Sequence, residues 1–471
     1  MKTEKTEGQL LSEELSYKPV NAGEKLTDAE MKKADNFCED YKVFLDHAKT
    51  EREAVSYAVK LAEKKGFVPY DPDHTYQAGD RVYYNNRGKA VILAVIGKKP
   101  LKEGVRIVAA HIDSPRLDLK PNPLYEDNDL ALFKTHYYGG IKKYQWTAIP
   151  LALHGVVAKK DGTVISVAIG EDDNDPIFCV TDLLPHLASE QSQRKLSEGI
   201  KGEELNILVG SRAFKDDQAS EKVKLNVLKI LNEKYGISET DFLSAELEAV
   251  PAFKARDLGL DRSMIGAYGH DDRVCAYPAL MAALNCKNPE RTVLSVLTDK
   301  EEIGSDGNTG LNSAYMQYFL EWLAAAEGTP VSRVLSNSEC LSADVNAAFD
   351  PTFASVMEPR NSSYLNRGAV ITKYTGSRGK GGSSDASAEF MGRVRELLDR
   401  NGVIWQIGEL GKVDIGGGGT VAKYVAALNV DVVDLGVPVL SMHAPFEIVS
   451  KADVYMTYRA CEVFFADKVK K

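Results

Sequence analysis

No apolar run in the 471-residue sequence approaches the roughly 20 residues needed to cross a bilayer. Its start, MKTEKTEGQLLSEELSYK, lacks the apolar segment and cleavage site of a secretory signal. The six cysteines (Cys38, Cys179, Cys275, Cys286, Cys340, Cys461) form no CxxC pair, which argues against a cysteine zinc site or a disulfide framework. A basic excess is also missing: the formal net charge is −10, so nucleic acid and anionic membranes are not expected partners. No glycine-rich stretch fits the GxxxxGK-Ser/Thr phosphate cradle, and the Gly416 to Gly419 run has no lysine in it. There is no internal repeat. These absences lead us to expect a cytoplasmic protein with reduced, mostly buried thiols.

What remains is ordinary globular material, 44% hydrophobic and 27% charged, long enough for a large core and two domains. After a polar arm of about 25 residues, Thr27 and Asp28 offer a cap for an amphipathic helical region ending near Gly66. RVYYNN and AVILAVIG, joined at Asn85-Asn86-Arg87-Gly88, read as a hairpin, and VRIVAA (105–110) as a buried strand. Residues 117–255 change texture to short alternating runs, with a hairpin turn at Lys160 to Thr163 and a helix over about 217–235. Strand and helix alternation returns after 260. Val331 to Leu335 and Leu341 to Val345 read as a strand-like pair, a helix follows from about 386 to 400, and VDVVDLG and VPVLSM read as closing strands. The expected fold is α/β: a mixed central sheet flanked by helices from 1–116 and 256–471, interrupted by an inserted, mainly β domain at 117–255.

Ligands of such sheets collect beyond the carboxyl ends of the strands. Five segments put metal-ligand residue types there: His111, Asp271 or Asp272, Glu301-Glu302, Asp344 and His443. Singly, each has a bland reading as a loop residue, helix cap or turn former. Jointly, two histidines and three carboxylates match a dinuclear site for a borderline metal such as zinc, with one carboxylate bridging. Adjacent glutamates after a core strand are awkward for stability. They make sense if one binds metal while the other takes a proton from the attacking water.

The motifs AHIDSPRLDLKP, GHDDRVCA, DKEEIGSDG, SADVNAAFDP and SMHAPFE, in that order, resemble the aspartyl aminopeptidase and vacuolar aminopeptidase I family of dinuclear zinc exopeptidases. The resemblance spans nearly the whole chain after about residue 30. It implies two zinc ions (manganese or cobalt being alternatives) bridged by Asp271, with His111 and Asp344 at one and Glu302 and His443 at the other. It further implies Glu301 as general base, Asp113 as the group orienting His111, and a cis peptide between Asp271 and Asp272. The inserted domain is then a dimerisation domain or lid, and dimers assemble into a tetrahedral dodecamer in which His186 reaches a neighbour's site. Substrates are expected to be peptides cleaved at the N-terminus. Arg378 or Lys380 is a candidate for reading an acidic N-terminal residue. The competing expectations are a carboxypeptidase or deacylase of the same fold, or a non-catalytic assembly or cargo protein.

Overall fold

A computed structural model describes residues 5–468. Three sheets organise it. The largest has nine strands, ordered Val68–Pro69, Arg81–Asn86, Ala90–Val95, Val293–Thr298, Arg106–His111, Glu339–Ser342, Asp431–Gly436, Ala369–Thr372 and Trp405–Ile407. Its centre is parallel (Val293–Thr298, Arg106–His111, Glu339–Ser342, Asp431–Gly436), while neighbours on either side run antiparallel, so the sheet is mixed. Central strands of this kind are covered on both faces and read as continuous apolar runs. Along Arg106–His111, Val108 and Ala110 enter one core with the helices Asp28–His47, Glu51–Lys64, His270–Asn285 and Lys451–Ala466. Ile107 and Ala109 enter a second core with the helices Tyr315–Ala325 and Ala422–Ala426. Burial of each such aliphatic side chain contributes roughly 2 kcal/mol.

The amino-terminal helical region is two helices, each begun by a reciprocal capping box, Thr27 with Glu30 and Thr50 with Glu53. Caps of this type are worth about 1 kcal/mol each. One element differs in kind from its expectation: Val331–Ser336 is a helix. Pro330 precedes it, and Val334 and Leu335 bury at helical spacing from Val331, so the β-branched composition misleads. The two closing strands do form but part company. Asp431–Gly436 joins the large sheet, whereas Pro438–Leu440 enters a five-stranded sheet with Arg256–Leu258, Met264–Ala267, Glu447–Ser450 and Asn346–Ala347.

The third sheet is antiparallel with seven strands, all drawn from between Arg116 and Pro251. It has its own core, including Leu117, Phe133, Trp146 and Phe242, with the helix Lys222–Tyr235 laid against it. Arg116 ties it to the rest. Its guanidinium is buried against Glu51 at 3.0 Å, Asp118 at 2.8 Å and Glu248 at 3.2 Å.

Candidate active site

The parallel strands end together, and the site begins where they end. His111 is the last residue of its strand, still in register with Thr298, rather than part of the following loop. Asp113 lies just beyond. After Thr298 the chain makes a helical turn, Glu301–Ile303, between Lys300 (φ 67°) and Gly304 (φ 94°). Asp344 stands two residues past its strand. A Cβ on Gly436 would sit 1.8 Å from the Asp344 carbonyl oxygen, so glycine is required for that approach. Asp271 and Asp272 open the helix His270–Asn285 with non-helical dihedrals, and the peptide between them is cis. His443 takes φ 65°. Left-handed conformations at residues such as Lys300 and His443 cost on the order of 1–3 kcal/mol and gather at functional sites.

These residues converge. Asp271 presents Oδ1 to His111 Nε2 at 3.1 Å and Oδ2 to His443 Nε2 at 3.1 Å. Asp344 Oδ1 is 3.8 Å and Glu301 Oε2 3.9 Å from His111 Nε2, and Glu302 Oε1 is 3.6 Å from His443 Nε2. Two potential ion-holding groups result, with ligand atoms within 4.8 Å of one another: His111, Asp272 and Asp344; and Asp271, Glu302 and His443. Asp272 belongs to the first group. It is wholly buried, neither of its oxygens has a hydrogen-bond partner, and it does not reach the cavity that Asp271 lines. The two glutamates also differ. The Glu301 side chain keeps 18% exposure, whereas that of Glu302 keeps 3% and leaves Oε1 without a hydrogen bond.

Buried acceptors fix the backbone around the ligands. Asp113 accepts from the Glu301 N–H at 3.1 Å and the Glu302 N–H at 3.2 Å. His111 Nδ1 meets the Asp113 main-chain carbonyl at 3.0 Å and its carboxylate at 3.4 Å, so main chain and side chain share the orienting contact. Glu447 accepts from the N–H groups of Asp271 (3.0 Å) and His443 (2.7 Å). That residue sits inside the SMHAPFE motif, yet its role needs two strands brought together and is not readable from spacing.

The electrostatics are those of a cation site. Burial, then repulsion from Asp113 and Asp271, pushes the Glu301 carboxyl up to about 7 against the pull of His111. Burial drives Glu302 and Asp344 well above the usual carboxylate range, and neighbouring carboxylates add to it. Burial opposes charge on both histidines. Asp113 and Asp271 outweigh it at His111, which is raised well above its ordinary value, and Asp271 and Glu302 outweigh it at His443, raised to about 11. Five carboxylates facing two imidazoles are over-supplied with negative charge, and a bound cation would supply the counter-charge that lets them ionise. Imidazole nitrogen with carboxylate oxygen is a donor set suited to zinc.

A cavity of about 440 Å³ opens on the site. Its lining includes Asp271, Glu301, Glu302, Asp344 and His443, together with Gly140, Thr372, Gly417 to Thr420, Lys423 and Asp434. Lys423 and Asp434 carry no signal in the sequence pattern. A larger cavity of about 800 Å³ lies in the seven-stranded sheet, and its apolar wall holds none of the clustered residues. Lys380, the candidate for reading an acidic side chain, pairs with Asp385 at 2.9 Å and lies 3.8 Å from the Tyr374 ring; neither it nor Arg378 lines the site cavity. His186 is exposed in the helical turn Pro185–Leu187, also off the cavity of its own chain.

A sequence profile of the M18 family, described as aminopeptidase I zinc metalloprotease, matches residues 44–465. A probable M18 family aminopeptidase 1 from Clostridium acetobutylicum is 53% identical over 452 residues, spanning 94% of this chain and 97% of that one. Among solved structures, an M18-family aminopeptidase of Thermotoga maritima superposes with a TM-score of 0.91 at 47% identity, covering 96% of this chain and 100% of that chain. An mApe1 dodecamer from S. cerevisiae, 22% identical with a TM-score of 0.75 over 92% of this chain and 97% of that chain, shares the fold. The chain therefore belongs to the M18 family of zinc metalloproteases and is an aminopeptidase, a hydrolase of peptide bonds.

Proposed function

We propose that this aminopeptidase works through two divalent ions, zinc in the first instance and manganese or cobalt as alternatives, and removes single residues from the N-termini of peptides. The observation that carries the reading is Asp271, whose two oxygens each stand 3.1 Å from a different imidazole Nε2. That is the disposition of a carboxylate bridging two sites, with His111 and Asp344 completing one and Glu302 and His443 the other. Asp272, buried and off the cavity as His111 is, is left outside the bridge on the family resemblance. Zinc bound there supplies Lewis acidity, which makes a water acidic near neutral pH and polarises the scissile carbonyl.

The chain's own residues do the rest. Glu301, the more exposed glutamate, takes a proton at its carboxylate and returns it to the leaving amine. Glu302, sealed with an unpartnered oxygen, is the ligand. Asp113 holds the N–H groups of both and so fixes their separation. The family resemblance further supports residues 117–255 as a dimerisation domain inserted between 1–116 and 256–471, a dodecameric assembly like that of mApe1, and His186 acting in a neighbouring subunit's site.

The test is Glu301→Gln on free and N-terminally blocked peptides, with metal content measured. General-base loss predicts kcat lower by about 10²–10⁴ at unchanged metal content, and cleavage of the free peptide only. Near-normal turnover by the metal-loaded variant would refute the assigned base. Cleavage of the blocked peptide would refute the exopeptidase geometry.

A further inference from the structure

Three consecutive residues, Tyr138 at the end of a strand of the seven-stranded sheet and Gly139 and Gly140 just past it, touch the site from outside the elements that carry its ligands. The Tyr138 hydroxyl donates to Asp113 Oδ2 at 2.8 Å. Asp113 is the acceptor that holds the Glu301 and Glu302 N–H groups, so this bond closes a chain from the strand Leu130–Tyr138 to the glutamate turn. Gly139 (φ 75°) passes so near Glu302 that a Cβ there would stand 3.0 Å from its Oε2. Gly140 offers its carbonyl to His443 Nδ1 at 2.8 Å, which puts the proton on Nδ1 and leaves Nε2 free to face Asp271. The Tyr138 ring itself lies 4.0 Å from the Arg116 guanidinium, which Glu51 and Glu248 hold in place.

We propose that Tyr138, Gly139 and Gly140 form one positioning segment through which the seating of the seven-stranded sheet sets metal affinity and turnover at the ligand cluster. The argument is geometric. Of the two glutamates and two histidines in that cluster, the segment touches Glu302 and His443 and governs the Glu301-Glu302 main chain through Asp113. Asp113 is wholly buried and has a limited set of donors: the two glutamate N–H groups, the Tyr138 hydroxyl and the His111 ring. Removing the hydroxyl leaves a buried carboxylate one donor short and frees it to shift toward the rest. The glutamate turn shifts with it. Such outer partners of metal ligands change affinity or activity by about 10- to 100-fold when removed. Any rearrangement of the seven-stranded sheet, including docking against a second copy, then reaches the site without contacting it.

This inference rests on the two-ion reading of the site, and the experiment separates their failures. Zinc affinity is measured by competition with a chromophoric chelator, alongside kcat and KM, for the wild-type chain, Tyr138→Phe, Gly139→Ala and the control Tyr137→Phe. Tyr137 is 39% exposed on the neighbouring position of the same strand, with Lys143 Nζ 5.7 Å from its ring. Tyr138→Phe is expected to lose about tenfold or more in zinc affinity and about tenfold in kcat, with KM within about twofold. Gly139→Ala, which keeps the Tyr138 hydroxyl but sets a methyl against Glu302, gives the same pattern by a separate route. Tyr137→Phe matches wild type. Wild-type affinity and turnover in Tyr138→Phe overturn the proposal, as do equal losses in Tyr138→Phe and Tyr137→Phe. A wild-type chain that takes up no zinc overturns the two-ion reading and the proposal together.

Discussion

Stripping the metal should make this protein's stability fall as pH rises, and the size of the fall can be worked from the site. The stripped fold keeps a proton on Glu301 up to about pH 7, whereas the unfolded chain releases it near the ordinary 4.5. Between those values the folded state binds more protons, so its advantage is full below about 4.5 and is lost as pH climbs through 7. At 1.36 kcal/mol per pH unit, that gap is worth roughly 3 kcal/mol, trimmed to about 2–3 by the 18% exposure of the side chain. Glu302 and Asp344 are shifted the same way and add to the slope. His443, raised to about 11, has the same sign: its folded form keeps a proton that the unfolded chain loses above about 6.5. Asp271 is depressed below its ordinary 3.8, so its contribution is fully present above about pH 4 and constant across this window.

Bound zinc removes these protons, and the pH dependence goes with them. The stabilisation that metal confers should therefore grow from pH 5.5 to 8.5 by about 2–3 kcal/mol or more. Measuring thermal midpoints of chelator-stripped and zinc-loaded protein at each pH isolates the site. Groups such as Asp453, raised to about 8, and His154, raised to about 9, titrate in both forms and cancel in the difference. A metal-induced stabilisation that stays flat or shrinks as pH rises refutes the crowded-carboxylate account.

Arg116→Met should destabilise the chain by about 3 kcal/mol, because Glu248 loses its buried ion-pair partner and Glu51 keeps only Lys89, at 3.5 Å. A loss under about 1 kcal/mol by urea unfolding would show that the pair does not anchor the seven-stranded sheet. Glu447→Gln turns one acceptor into a donor facing the N–H of Asp271 or His443, so it should cost about 1–3 kcal/mol and weaken zinc binding. Unchanged zinc affinity by chelator competition counts against that role. His186→Ala should leave a particle of about 620 kDa, twelve copies of the 51.6 kDa chain, while lowering kcat. Light scattering with steady-state kinetics checks both, and full activity in the intact particle removes His186 from the mechanism.

The fold was legible wherever one pattern dominated. VRIVAA and TVLSVL are buried on both faces and are central parallel strands in register, as continuous apolar runs require. Thr27 and Asp28 announced a helix start, which Thr27 caps, and Lys160 to Thr163 a hairpin. Val331–Ser336 is ambiguous because Val-x-x-Val-Leu satisfies both a helix and a short strand, and Pro330 at the N-cap decides for the helix. Nothing local separates Asp431–Gly436 from Pro438–Leu440 into two sheets, since Val437 between them is as apolar as its neighbours.

The cluster was legible for a different reason from the groups that hold it. His111 ends a strand, Glu301, Glu302, Asp344 and His443 follow strands and Asp271 opens a helix, so strand ends of the nine-stranded and five-stranded sheets deliver the six to one place. Glu447, Tyr138 and Gly140 act through main-chain N–H groups, a carboxylate and a carbonyl, and of these four bonds all but the one from His443 to Glu447 span 25 to 303 positions. Glu447 is four residues from His443, yet its second partner, Asp271, lies 176 positions off, and only the pairing of Met264–Ala267 with Glu447–Ser450 joins them. Residues that bind the reacting centre must carry particular side chains and so leave a mark in the sequence. Residues that aim them need only an acceptor at the right height, which many side chains and any peptide carbonyl can supply.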